Sequence, residues 1–322
     1  MILSYYMRFL CLCFATFFVV NALCWLAIKS TAARALRIAA TMRPSMAARF
    51  LFALRIAPAA VTIFLIVGFC VPSYLWLEPD IASERVGWFC LLAAGIGAVV
   101  WALSLLRGLM SIVLTGRYLR HCEAQQSRAA AQDMVVVSDA PAVMGIAGVV
   151  HPKLVVSQTV LDALSPEQQE AAFRHEAAHQ SSRDNLKRLL FLLAPDVVPL
   201  VSGLGRLERS WVTFTEWAAD DEAVDGDQER ALSLASALVG VAKLGVHRTP
   251  AYLLSSLMDD SGDLEVRVDR LLREPAYAEK PLQPVTAFVR NAGLVIGGVA
   301  ATLLLWPESL GTIHRLLEHL VQ

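Results

Sequence analysis

The chain has 322 residues, of which 56% are hydrophobic and 18% are charged, and its mean hydropathy is +0.52. This composition excludes an ordinary soluble protein of this size and indicates a membrane protein. The net charge is −1, but the charged residues are unevenly distributed, because residues 116–285 hold 17 Lys and Arg against 24 Asp and Glu. The sequence has no basic patch of the kind that nucleic-acid binding needs, so we expect no nucleic-acid partner.

Three uncharged runs near the N-terminus are long enough to span a bilayer, and they cover residues 9–28, 56–77 and 86–106. For the first run, its length and the basic residues that follow it favour an uncleaved anchor over a signal peptide. A fourth span is predicted over residues 286–306. The expected fold is therefore a mainly α membrane protein with about four transmembrane helices.

The loops between these runs predict the orientation of the chain. Residues 29–50 carry five Lys and Arg and no acid, whereas the short loop 78–85 is mostly acidic. Because short loops rich in Lys and Arg stay in the cytoplasm, the first loop is expected inside and the second outside. A multi-pass protein of the inner (cytoplasmic) membrane follows, with both termini outside and the region after the third span inside.

These boundaries divide the chain into three parts: an N-terminal membrane domain, residues 1–116; a cytoplasmic domain, residues 117–285; and a fourth span with a short amphipathic helix, residues 286–322. The six cysteines have no framework spacing, and five of them fall in apolar runs. A reduced, cytosol-facing soluble region fits this pattern.

The cytoplasmic part is predicted to begin with a polar helical linker and short strands. The linker covers residues 118–133, and the strands cover 134–138 and 153–157. Between them, Met144 to Gly148 is expected to form an extended edge that pairs with a substrate backbone, as β-augmentation does. The alternative for this segment is a glycine-rich hairpin with no ligand role.

A helix that begins at Ser165 carries the most informative motif. Ser165-Pro166-Glu167-Gln168 combines an N-cap, a proline at the first helical position and a capping-box glutamine. Neither proline nor glycine follows until about Leu193, which predicts a continuous helix. On it lies His175-Glu176-Ala-Ala-His179, whose histidines are four residues apart and share one face. Their imidazoles could bind one zinc ion, with Glu176 beside it as the residue that activates water.

A third ligand is available 37 residues beyond His179, where Glu216-Trp-Ala-Ala-Asp220 lies in a second predicted helix. Glu216 would complete a His2Glu site, and Asp220 would orient a ligand histidine through a hydrogen bond. Further helices are predicted over residues 229–245 and 264–273. Residues 189–205 are expected to form an apolar hairpin against the membrane or the spanning helices, or else a buried core segment.

The zinc motif, Arg183-Asp184 after it and the Glu-x-x-Ala-Asp motif together resemble the membrane-embedded gluzincin metallopeptidases. Asp139 to Ser157 and the helix Leu264-Glu-Val-Arg267 resemble flanking segments of the same families, so the likeness spans about residues 134–275. Two branches fit, the BlaR/MecR-type transducer peptidases and the HtpX-like and CAAX-prenyl endopeptidases. The missing His-Pro before Arg267 favours the transducer branch. The sequence contains no penicillin-binding sensor, so β-lactam sensing is not expected.

This resemblance implies an α+β zincin-like domain inserted between the third and fourth spans, with peptidase activity on a cytosolic or membrane protein, such as a transcriptional repressor. It implies zinc bound by His175, His179 and Glu216, and Glu176 as the catalytic base. Asp220 and Asp184 would support the ligands from behind, although Asp184, like Arg183, could instead anchor the helix. The oxyanion donor stays open among His247, Tyr252 and Arg267. The rival hypotheses are a membrane scaffold with a structural or lost zinc and a four-span transporter.

Overall fold

The computed structural model describes residues 4–77, 86–125, 134–138, 143–195, 204–245, 254–256 and 264–273. These residues are mostly helical, with one small sheet. Three helical segments are long and apolar enough to cross a membrane: Tyr5–Ala39, Pro44–Trp76 and Trp88–Ala124. The expected mainly helical architecture is confirmed, and the three segments are compatible with a membrane protein. The predicted fourth span and the amphipathic helix after it lie outside the described residues.

The first membrane helix, α1 (Tyr5–Ala39), is much longer than its apolar run. The predicted cytoplasmic loop 29–50 is wrong as a loop, because only a short turn separates α1 from α2 (Pro44–Leu65). The reason is local, since the segment is rich in alanine and has no proline or glycine before Pro44. The positive charges of residues 29–50 therefore lie at the adjacent ends of α1 and α2 and in the turn between them.

The second membrane segment changes its helical pitch near its end. A π-helical turn, Ile66–Cys70, joins α2 to α3 (Val71–Leu77). Pro72 lacks an N–H group, and its ring would clash with the carbonyl of residue 68 in a regular helix. The wider turn accommodates this proline without ending the segment.

The third membrane helix, α4 (Trp88–Ala124), also exceeds its apolar run. Residues 118–124, predicted as part of a separate polar linker, are the continuation of this helix, and residues 126–133 lie outside the described residues. One continuous helix thus contains both the third apolar run and the first residues of the predicted linker.

The domain after α4 contains a sheet with helices on both faces, since the end of α4 packs on one face and the helices that follow the sheet pack on the other. Its strands are β1 (Met134–Val137), β2 (Met144–Ala147), β3 (Lys153–Ser157) and β4 (Leu254–Ser256). Its helices are α5 (Gln158–Ala163), α6 (Pro166–Ser181), α7 (Asp184–Leu193), α8 (Gly205–Val224), α9 (Gln228–Lys243) and α10 (Leu264–Leu272). Leu234 and Leu238 of α9 are fully buried in the core that this helix shares with the sheet and α6.

The strand order β1-β3-β2-β4 corrects the expectation for residues 144–148. β1 and β3 run parallel, and β2 is antiparallel both to β3 and to β4. β2 is therefore an inner strand rather than an edge, since Ile146 pairs with Leu154 on one side and Ser255 on the other. The prediction missed this because β4 is distant in sequence and only three residues long.

The helix that carries the zinc motif is also shorter than predicted. The capping box at Ser165 is present, and the helix it starts is α6, which ends at Ser181. The chain then turns through Arg183, whose φ of 54° is left-handed, and starts again as α7. This turn brings Asp184 back towards α6, which a continuous helix would not do.

The segment predicted as an apolar hairpin, residues 189–205, is described only in part. Leu189 to Leu193 belong to α7 and pack on the membrane helices, and residues 196–203 lie outside the described residues. At Gly108 of α4 an added Cβ would lie 2.4 Å from a methyl carbon of Leu193. The glycine therefore permits the close approach of α4 and α7.

The membrane helix α2 packs along α8, the helix that carries Glu216. Arg55 is almost fully buried, and its Nε donates to Glu208 Oε1 at 2.6 Å. Its guanidinium also lies 5.7 Å from the ring centroid of Phe191, which in turn contacts Trp211. The helices α1 and α2 thus share one hydrophobic core with α7 and α8.

The charge pattern predicts where a reporter would be found. A reporter fused at residue 41 or after Lys153 should lie in the cytoplasm, and one inserted at residue 80 should lie outside. Paired alkaline-phosphatase and fluorescent-protein fusions at each position would measure this. Signals from residues 41 and 80 on the same side would mean that the second apolar segment does not cross.

Candidate metal centre

The two motif helices bring together the three predicted ligands. His175 and His179 lie on α6 and Glu216 on α8, and one ligand atom from each lies within 4.8 Å of the other two. All three side chains are buried, with relative exposures of 0–5%. The region between α6 and α8 can therefore hold a metal ion.

The spacing of the ligand atoms suits a tetrahedral ion. His175 Nε2 and His179 Nε2 are 3.1 Å apart, and they lie 3.4 and 3.5 Å from the two carboxylate oxygens of Glu216. Ligand bonds of about 2.0–2.1 Å in a tetrahedron give ligand–ligand distances of about 3.3 Å. The three side chains are already separated by that amount.

Two carboxylates fix the orientation of the histidine rings. His175 Nδ1 lies 3.0 Å from Asp220 Oδ1, and His179 Nδ1 lies 2.9 Å from Asp184 Oδ2. With a proton on each Nδ1, both Nε2 lone pairs point into the space between the ligands. Asp220 and Asp184 thus lie where the sequence analysis expected support for the ligands.

Arg267 of α10 holds the two acids of α8 in place. Its guanidinium donates to both carboxylate oxygens of Asp220, at 2.7 and 3.0 Å, and its Nη1 lies 3.1 Å from Glu216 Oε2. A bidentate contact of this kind fixes direction as well as charge. Residue type alone made Arg267 a candidate oxyanion donor, with a structural role as the alternative, and these contacts favour the structural role.

Glu176 is buried beside the ligands with one oxygen anchored and one without a partner. Its Oε2 accepts a hydrogen bond from the backbone N–H of Ile146 in β2 at 3.1 Å. Its Oε1 has no hydrogen-bond partner among the described residues. A buried carboxylate oxygen without a partner is costly, which points to a group that belongs at this position.

Asn185 is a residue whose role the sequence did not reveal. Its side-chain amide donates to the backbone carbonyls of Ile146 and Gly148, at 2.8 and 2.9 Å. Ile146 is therefore held from both helices, through its N–H by Glu176 and through its carbonyl by Asn185. The available signal was its place directly after Asp184 in the motif tail.

Burial and neighbouring charges shift the pKa values of the two histidines and of Glu176, Glu216 and Asp220. Burial raises the pKa of Glu176 to about 7, against the opposing attraction of His179 and His175. For His179, the carboxylates of Glu216 and Asp184 outweigh the effect of burial and raise the pKa to about 10. For Asp220, burial would raise the pKa, but Arg267 and His175 outweigh that effect and lower the pKa to about 2.

The remaining two groups follow the same balance. Burial opposes the charge of His175, but hydrogen bonds to Asp220 and Glu216 raise its pKa. Burial would also raise the pKa of Glu216, yet His179 and Arg267 hold it well below its usual value. At both groups the neighbouring charges and hydrogen bonds outweigh the effect of burial.

The charge balance fits one divalent cation. Four carboxylates face the centre, from Asp184, Glu176, Glu216 and Asp220, and two cations contact them, Arg267 and Lys187. With neutral histidines, this leaves an excess of two negative charges. A divalent ion would cancel that excess.

Three other candidate residues from the sequence are not part of the described centre. Arg183 forms the left-handed turn before α7, while His247 and Tyr252 lie outside the described residues. Asp221, next to Asp220, faces away and pairs with Arg270.

No protein-family model matches the chain, and no curated protein sequence matches it. The likeness to the gluzincin peptidases therefore rests on the motif residues themselves. The geometry around them is independent support for a metal site, without identifying the ion or the reaction.

Replacing Arg267 with methionine should destabilise the protein strongly, because two buried carboxylates would lose their compensating charge. The expected loss is about 3–5 kcal/mol, the usual effect of breaking a buried ion pair. Thermal unfolding in detergent would measure it, with Arg273→Met on the exposed end of α10 as the control. Unchanged stability of Arg267→Met would contradict the assigned role.

Proposed function

We propose that the protein is a membrane-embedded zinc-dependent endopeptidase of the gluzincin type. Its zinc ligands are His175, His179 and Glu216, and Glu176 is its general base. The observation that carries this proposal is Glu176 Oε1, a buried carboxylate oxygen without a partner beside three convergent ligands. Such an oxygen is available to accept a proton from water, as a catalytic site requires.

Zinc is the ion that this donor set favours. Two imidazoles and one carboxylate suit zinc, and three protein ligands leave a fourth position open, as catalytic zinc sites do. When bound, zinc supplies a Lewis acid that polarises a carbonyl group and makes water more acidic. The ligand residues themselves only hold and orient, since each histidine is fixed from behind by an aspartate.

Glu176 would move the proton during hydrolysis. The hydrogen bond from Ile146 N–H holds Oε2, so Oε1 is the atom left to accept a proton from the attacking water. Burial raises the pKa of Glu176 to about 7, which lets the same carboxyl group donate that proton to the leaving amine near neutral pH.

The substrate is proposed to be a peptide segment of a cytosolic or membrane protein. The centre lies in a domain whose helix α8 packs on membrane helix α2, so the site is close to the bilayer. A cytoplasmic position of this domain, between the third span and a fourth, follows from the loop charges. A transcriptional repressor is one fitting substrate class, and regulated proteolysis is the corresponding role; membrane quality control of the HtpX-like kind is the other.

The purified protein should contain about one zinc per chain. His175→Ala, His179→Ala and Glu216→Ala should each lose it, because two protein ligands make an incomplete site. Asp220→Ala should weaken binding by about 10–100-fold. Metal analysis by mass spectrometry would measure both, with Glu222→Ala, an exposed acid of the same helix, as the control. Zinc retained by Glu216→Ala would refute the third ligand.

Glu176→Gln should leave a folded, zinc-loaded and proteolytically inactive protein. Glutamine has nearly the same shape but cannot take a proton from water, so kcat should fall by about 10²–10⁴-fold. Cleavage of an unfolded reporter protein in proteoliposomes would measure this, alongside zinc content. Glu170→Gln, the same change at an exposed position of α6, is the matched control.

A Glu176→Gln protein that keeps both its zinc and its full activity would contradict the assignment of the base. Wild-type protein that binds zinc but cleaves nothing in the reporter assay, and whose cells show the same proteome as Glu176→Gln cells, would favour the rival hypothesis. That rival is a membrane signalling or scaffold protein with a structural zinc.

A further inference from the structure

Four of the six cysteines form two contact pairs on membrane helix α1. Cys11 Sγ lies 3.8 Å from Cys90 Sγ of α4, and both side chains are buried. Two residues further along α1, the Cys13 thiol hydrogen-bonds with Cys70, at the end of the π-helical turn. The spacing of the cysteines in the sequence gave no sign of either pair.

Small residues explain the close approach of Cys11 and Cys90. Ala15 lies one turn after Cys11, and Ala94 one turn after Cys90, and all four belong to one buried cluster. One further turn along α4, a Cβ added to Gly97 would lie 2.3 Å from the backbone oxygen of Phe14. The two backbones are therefore nearly in contact here, as small residues allow in membrane helices.

These thiols are not expected to bind a metal ion. Among the described residues, the histidine–glutamate centre is the only group of three or more metal-ligating side chains within reach of one ion. The cysteine pairs lie on different sides of α1, and each contains only two sulfur atoms. Two thiols in contact are the arrangement from which a disulfide forms.

We propose that Cys11 and Cys90 are a redox-active dithiol that closes to a disulfide joining α1 to α4. Cys90 is the third residue of α4 and Cys11 the seventh of α1, so the pair lies near the same end of both helices. The loop charges place this end outside the cytoplasm, where disulfides form and persist. The sulfur atoms, 3.8 Å apart, need to approach to about 2.05 Å for the bond to form.

The oxidant is a disulfide, carried by a small molecule or an oxidoreductase. One cysteine thiolate attacks a sulfur of that disulfide, whose S–S bond breaks and releases one thiolate. The second cysteine thiolate then attacks the mixed disulfide and releases the other thiolate. The two cysteines lose two protons and two electrons in all, and the oxidant becomes two thiols.

The test compares two variants that keep two cysteines each. One keeps Cys11 and Cys90, with serine at positions 13, 24, 70 and 122, and the control keeps Cys24 and Cys90, with serine at positions 11, 13, 70 and 122. Each is treated with oxidised glutathione in detergent, denatured and labelled with maleimide-polyethylene glycol. The first variant should fall from two labels to none and recover with reductant, whereas the control should keep its labels.

Intact mass distinguishes the outcomes. The first variant should lose two hydrogens and carry no glutathione, as a disulfide requires. Two labels remaining after oxidation, or glutathione adducts in place of the hydrogen loss, would overturn the proposal.

The natural sequence provides a check that does not depend on how the multiple variants fold. Oxidation should link the tryptic peptides 9–29 and 86–107, and Cys11→Ser alone should abolish that link. A link that survives Cys11→Ser would also overturn the proposal.

Discussion

The burial of opposite charges around His175 and His179 is the constraint on which this domain depends. Charged groups without water are costly unless each meets a partner of fixed geometry. Here the partners come from four separate elements, since α6 supplies Glu176, α7 Asp184, α8 Asp220 and α10 Arg267. The centre can exist only if all four helices are packed correctly.

Those helices are in turn fixed to the sheet and to the membrane. Glu176 and Asn185 hold the N–H and the carbonyl of Ile146, so α6, α7 and β2 form one hydrogen-bonded unit. On the opposite side, the buried Arg55 of α2 binds Glu208, two turns before Glu216 on α8. A displacement of α2 would therefore also shift α8 and with it Glu216, the proposed third ligand.

The grouping of His175, His179 and Glu216 could be predicted from the sequence because their spacing is a property of one helix or of a local motif. Two histidines four residues apart share a face in any α-helix, and Glu216 and Asp220 repeat the same spacing. The capping box at Ser165 likewise fixed the start of α6. The apolar runs predicted three membrane helices, although Arg37 and Arg120 show that those helices continue well beyond the uncharged segments.

The errors arose where distant residues decide the structure. No proline or glycine near Arg183 predicts the left-handed turn there. The turn is stabilised by the contacts of the next two residues, Asp184 and Asn185. The inner position of β2 depends on β4, more than 100 residues away. The contacts of Arg267 with Asp220 and of Cys11 with Cys90 likewise become visible only when the helices are packed.

The local structure of the bound metal tests the central claim most directly. X-ray absorption at the zinc edge of the purified protein should show two imidazoles and oxygen donors at about 2.0–2.1 Å, with no sulfur. Sulfur at about 2.3 Å would place the metal on the cysteines instead. A spectrum without imidazole scattering would contradict the site between α6 and α8.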